Sequence, residues 1–199
     1  MISNICKIAK GTNDLCEILK ESESVALYNG FNKKQTLQLR LICEEINGML
    51  PNIIDDFCGS FWIEYENGVC KVNASIDIPE LTSTKKEELI NLAKNKKNAC
   101  AVGIVGKIRS AIENLFLDNE IFNQCDISTL FNAGVGYSVG FTPTYTWSLN
   151  KYRSVVNKEN KEDWDELEKS IIANLADDVV VGVKGKQANI VVVKKFKWG

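Results

Sequence analysis

Apolar positions in the first third of the chain follow two different rhythms. Leu39, Ile42, Ile46 and Met49 recur every three or four residues, the spacing of one helix face. Asn32 stands ahead of them with Gln35 three residues on, a helix-start signature, and Pro51 closes the run. Upstream, residues 2–9 read as a short strand and residues 13–28 as a helix, with Gly30 as its left-handed stop. Downstream the period changes to two. Phe61, Ile63 and Tyr65 alternate with Trp62, Glu64 and Glu66, and Cys70, Val72, Ala74, Ile76 and Ile78 alternate with polar residues. Asn67-Gly68 between these runs predicts a tight hairpin with one buried face.

Farther along, Thr84 with Glu87 makes a capping box for a helix through about residue 92, and residues 94–98 form a basic connector. A glycine-opened helix over residues 103–117 carries Ile104, Ile108, Ile112 and Leu115 on one side. Between residues 118 and 160 the periodicity weakens. Glycines and Pro143 stand among Phe131, Tyr137, Phe141, Tyr145, Trp147 and Tyr152, which suggests strands or an ordered loop excursion. Trp164, Leu167, Ile171 and Leu175 define a last helix, and residues 179–184 and 188–196 a hairpin about Gly185. No internal repeat, low-complexity tract or linker stands out. The pattern predicts one domain over residues 1–199, a two-layer α/β sandwich with an elaboration at about 118–160.

Composition narrows the function classes. The chain has 199 residues, 25% of them charged, with a net charge of -2. That balance offers no broad basic footprint for a nucleic-acid backbone. No apolar run approaches the roughly 18 residues that a membrane span needs, so a soluble, cytoplasmic protein is expected. Seven cysteines without a CxxC pair read as reduced, mostly buried thiols. There is no histidine. Triads, Cys-His pairs and histidine metal sites are thereby removed, and any acid or base must be a carboxylate, lysine, tyrosine or cysteine.

Three groups of residues carry candidate chemistry. Glu44 and Glu45 place carboxylates on an amphipathic helix, where one could polarise a water at a cleft edge or simply form a solvated edge pairing with Arg40. Gly103 and Gly106 open a helix whose backbone N–H groups suit a phosphate, with Lys97 and Lys107 nearby; close packing of that helix on a sheet is the competing account. The run is not a P-loop, since Gly106-Lys107 is followed by Ile108. Tyr145, Trp147 and Tyr152 beside Arg153 are either a partner surface or a satellite core.

The element order (strand, helix, carboxylate-bearing helix, hairpin, glycine-opened helix, terminal hairpin) resembles the GHKL ATPase superfamily. It is most similar to anti-sigma-factor serine kinases and histidine-kinase ATP-binding domains, over residues 2–117 and 179–196. The resemblance implies a histidine-kinase-like ATPase fold: a mostly antiparallel sheet with helices on one face and ATP with magnesium between the layers. It assigns Glu45 as the catalytic carboxylate, Asp77 to adenine, and Gly103, Gly106 and Lys107 to phosphate. No metal ligand is assigned, because the family's asparagine four residues after the glutamate is Met49 here. Ile78-Pro79-Glu80 replaces the family's glycine turn after the adenine aspartate, and strand parity puts Asp77 with the polar positions Lys71, Asn73 and Ser75.

Three functions follow. The first is a regulatory ATP-binding domain with a protein partner or a homodimeric state. The second is a protein-interaction module that kept the fold and lost ATP chemistry. The third is a small-molecule sensor lined by the aromatic segment.

Overall fold

The computed structural model describes residues 1–12, 14–54, 56–77, 103–118, 145–159, 170–184 and 186–196. Six strands form one open sheet: β1 (Cys6–Ala9), β2 (Cys58–Glu66), β3 (Val69–Asp77), β4 (Tyr145–Ser148), β5 (Asp178–Lys184) and β6 (Gln187–Lys195). Their spatial order is β1-β2-β3-β6-β5-β4, and every neighbouring pair is antiparallel. The helices are α1 (Leu15–Tyr28), α2 (Lys33–Ile53), α3 (Gly103–Asp118), α4 (Leu149–Glu159) and α5 (Ile171–Leu175).

Local chemistry sets the element boundaries. The Gln35 amide donates to Asn32 Oδ1 at 3.0 Å while the Asn32 amide donates to Gln35 Oε1 at 2.9 Å, so two amides at the α2 start are satisfied reciprocally. Gly30, at φ 67°, ends the connection from α1. Asn67 and Gly68 both take positive φ, 50° and 82°, the backbone that a two-residue turn between twisted strands requires.

Three boundaries differ from the sequence reading. Pro51 does not end α2, which runs on to Ile53. The amide lost at Pro51 costs roughly 3 kcal/mol, but Leu50 and Ile53 are both buried, at about 1.5–3 kcal/mol each. The first strand is interrupted: Ile2 faces Glu64 and Cys6 faces Phe61, so four steps of the N-terminal segment cover three of β2, a one-residue bulge. A helix, α4, also occupies residues read as loop or strand. Its first amides are capped, Asn150 donating to Asp178 Oδ1 at 3.1 Å and Lys151 to Ser148 Oγ at 3.2 Å. The predicted helix at 84–92 lies outside the described residues.

All helices pack on one face of the sheet. Phe61, Ile63 and Tyr65 of β2, Cys70, Val72, Ala74 and Ile76 of β3, Val179, Val181 and Val183 of β5, and Ala188, Ile190 and Val192 of β6 share a single core with the inward residues of α1, α2, α3 and α5. Phe31, in the α1–α2 elbow, stacks between Tyr65 at 5.1 Å and Phe196 at 4.6 Å, tying the elbow to the end of β6.

The two halves repeat one plan. Apart from α3, which stands between them, the described elements read strand, helix, helix, hairpin twice, and the sheet order places β1, β2 and β3 as the counterparts of β4, β5 and β6. One constant displacement along the chain carries the pair Phe61–Ala74 onto Val179–Val192 and Ile63–Val72 onto Val181–Ile190. The same displacement carries Asn73 onto Val191, its own partner across β3–β6. A pseudo-two-fold axis therefore pierces the sheet between those two residues. This repeat is absent from the sequence reading because equivalent positions share apolarity but not identity.

Candidate functional site

Glu45 is half-buried on α2, flanking the core stripe, and makes no hydrogen bond or ion pair among the described residues. Arg40 goes elsewhere, its guanidinium bridging Glu44 at 3.1 Å and Glu23 of α1 at 2.7 Å. The solvated-edge account therefore describes Glu44. Met49, in the position of the family's metal-binding asparagine, is buried in the core.

Asp77 is exposed at the end of β3, and the β2–β3 register runs to it without interruption. Inward positions Cys70, Val72, Ala74 and Ile76 therefore leave Asp77 on the face away from the helices. Its carboxylate accepts from Gln187 Nε2 at 2.8 Å and lies 4.0 Å from Cys58 Sγ.

Gly103 opens α3 at φ 70°, Gly106 is buried, and Ile104 and Ile108 enter the core beside it. Lys107 Nζ stands 5.1 Å from the centre of the Tyr152 ring, a cation–π contact. Glu45 and the Gly103–Lys107 turn thus lie in the helix layer, whereas Asp77 is across the sheet from them. Asp77 therefore does not converge with the other residues assigned to ATP. Among the described residues no group of three or more acidic or thiol side chains is placed to hold a metal.

Trp147 and Tyr152 pack together, ring centres 6.0 Å apart, against the core; Arg153 donates to the carbonyl of Ala173. The side chain of Tyr145 lies outside the described residues.

A cavity of about 630 Å³ opens elsewhere, over the outer face at the turn end of the β2–β3 hairpin. Its floor follows one row of paired residues, Glu64, Lys71, Val193 and Asp178. These carboxylates are engaged within the sheet, Glu64 by Trp62 Nε1 at 2.8 Å and Asp178 by the amides of Asn150 and Val179. None of Glu45, Asp77, Gly103, Gly106 or Lys107 lines this cavity.

The cysteines behave as core residues. Cys6, Cys43 and Cys70 are buried, and burial pushes the Cys70 thiol up to about 12 and Cys6 to about 11, with Cys43 also raised by burial. Cys16 and Cys58 are exposed and free. Cys100 and Cys125 lie outside the described residues.

The most unusual surface was not singled out by sequence reasoning. Of the seven large apolar side chains exposed among the described residues, five (Met1, Ile2, Ile5, Leu27 and Tyr28) belong to the segment leading into β1 and the end of α1. Leu27 is 85% exposed and Tyr28 77%. Asn29 Nδ2 reaches Met1 Sδ at 3.3 Å and Asn4 Nδ2 reaches Glu21 of α1 at 3.0 Å, so the two segments form one border. A signal existed: Leu27 falls on the helix face opposite Ile18, Ser22 and Val25.

Compared with known proteins, the chain matches no family model, no curated protein and no solved structure. Among the described residues no helix is long and apolar enough to cross a membrane.

Proposed function

We propose that the chain is a regulatory protein-binding domain, a two-layer α/β frame of GHKL-like element order that acts through partner contact rather than ATP chemistry. The observation that carries this reading is the border of exposed apolar side chains formed by Met1, Ile2, Ile5, Leu27 and Tyr28. Exposed apolar side chains gathered at one edge of a folded domain mark a surface that another molecule covers, and tyrosine is among the residues enriched at interface centres. The separation of Asp77 from Glu45 and Gly103 by the thickness of the sheet supports the same reading.

The test has two arms. A photo-crosslinking residue placed at Tyr28 is expected to capture one partner at fixed stoichiometry, with the yield lost in Leu27→Ser. Titration calorimetry with ATP and magnesium is expected to give no heat. ATP turnover abolished by Glu45→Ala would overturn the reading in favour of the nucleotide-dependent one.

A further inference from the structure

α2 shows its core face in Leu39, Ile42, Cys43, Ile46, Met49 and Leu50. The face turned away from the core carries an ordered series: Lys33 and Lys34, then Leu37 and Leu41, then Glu44 and Glu45 at its rim. Leu37 is 56% exposed, Leu41 is half-buried one turn on, and the two adjoin each other on the helix surface. Lys33 and Lys34 are exposed, with no acidic partner among the described residues. They stand at the positive end of the helix dipole, in a first turn without a carboxylate.

We propose that this face binds a second copy of the chain, α2 lying antiparallel on α2 about a two-fold axis between Leu37 and Leu41. The charge series selects that occupant. The lysine pair and the glutamate pair stand equally far from the midpoint, so the two-fold operation sets each copy's ammonium groups over the other's carboxylates. The two leucine pairs meet at the centre. A same-patch interface between identical chains must be self-complementary, and this one is. Parallel packing would set lysine against lysine and is rejected by the same charges. Arg40 is already bridged to Glu23 and Glu44, which fixes the Glu44 carboxylate and leaves Glu45 free to pair across the axis. The proposal rests on Leu37, Leu41 and their flanking charges and not on the residues of the apolar border, so the two are tested by different substitutions.

Sedimentation equilibrium over the micromolar to millimolar range tests the proposal. Wild type is expected to show a concentration-dependent dimer that weakens with salt. Lys33→Glu/Lys34→Glu and Glu44→Lys/Glu45→Lys are each expected to weaken self-association about tenfold or more, and an equimolar mixture of the two to restore a heterodimer. Leu37→Ser, a change at an exposed position, is expected to weaken the dimer while melting close to wild type at concentrations where both are monomeric, and decides the matter should a charge variant fold poorly. A wild-type chain that stays monomeric throughout overturns the proposal, as do charge variants that dimerise like wild type.

Discussion

Asn73 and Val191 face each other across β3 and β6, and each holds in its own hairpin the position the other holds in its own. The sheet centre is therefore one hairpin plan used twice, with Asn73, only 4% exposed, accommodated on the outer face by donating Nδ2 to the Lys71 carbonyl at 3.2 Å. Ile63 and Val181 are equivalent under this relation and equally buried. Ile63→Val is expected to cost about 0.5–1.5 kcal/mol, with Ile190→Val, the counterpart of a Val72 change, in the same range. Hydrogen exchange should find β3 and β6 the most protected strands and β1 and β4 the least. Faster exchange in β6 than in β4 would contradict the central placement.

Two glycines should respond to alanine with opposite signs. A Cβ at Gly59 would meet the Ser75 carbonyl oxygen across β2–β3, whereas one at Gly48 on α2 meets nothing within 4 Å. Gly59→Ala is expected to destabilise by about 1–3 kcal/mol and Gly48→Ala to stabilise by about 0.5–1 kcal/mol, read from denaturant midpoints.

Loss of the α2 cap is measurable separately. Asn32→Ala removes the acceptor of the Gln35 amide, leaving only the backbone donation from residue 32 to Gln35 Oε1, and is expected to cost about 0.5–2 kcal/mol, while Asn32→Asp keeps the acceptor and stays near wild type. Thermal denaturation of the pair checks it.

The buried thiols give a chemical and a pH readout. In native protein Cys16 and Cys58 are expected to react with an aromatic disulfide reagent in seconds to minutes, and Cys6, Cys43 and Cys70 only on unfolding. Burial raises Cys70 from the ordinary 9.0 to about 12. Above pH 9 the unfolded chain releases a proton that the folded chain keeps, so stability falls as pH rises and this contribution is gone by about pH 12. A Cys70→Ala variant should show a shallower alkaline loss in chemical denaturation.

Local signals were legible in the sequence. Asn32 with Gln35, Asn67 with Gly68, and the isoleucine series of α3 each depend on a few adjacent residues, and each forms as read. Signals set by tertiary burial were not. Pro51 stays helical because Leu50 and Ile53 are held in the core, and α4 is anchored by Asp178, a residue distant in sequence. The duplicated hairpin is invisible because Phe61 and Val179, or Cys70 and Ala188, share their apolar character and inward direction but not their identity. At the site, the outward placement of Asp77 was available from strand parity alone. The pairing of Arg40 with Glu44 rather than Glu45 follows from i,i+4 spacing, whereas its bridge to Glu23 depends on how α1 lies against α2, which no spacing encodes.

The central position of β6 has a consequence for synthesis on the ribosome. Gln187 follows its partner Asp77 by 110 residues, and at roughly 5–20 residues per second the nascent chain carries β3 as a bare hydrogen-bonding margin for about 5–20 s. Phe31 likewise waits for Phe196 to complete its stack. The first half emerges early yet finishes late, and during that interval its exposed strand is the natural target for a chaperone.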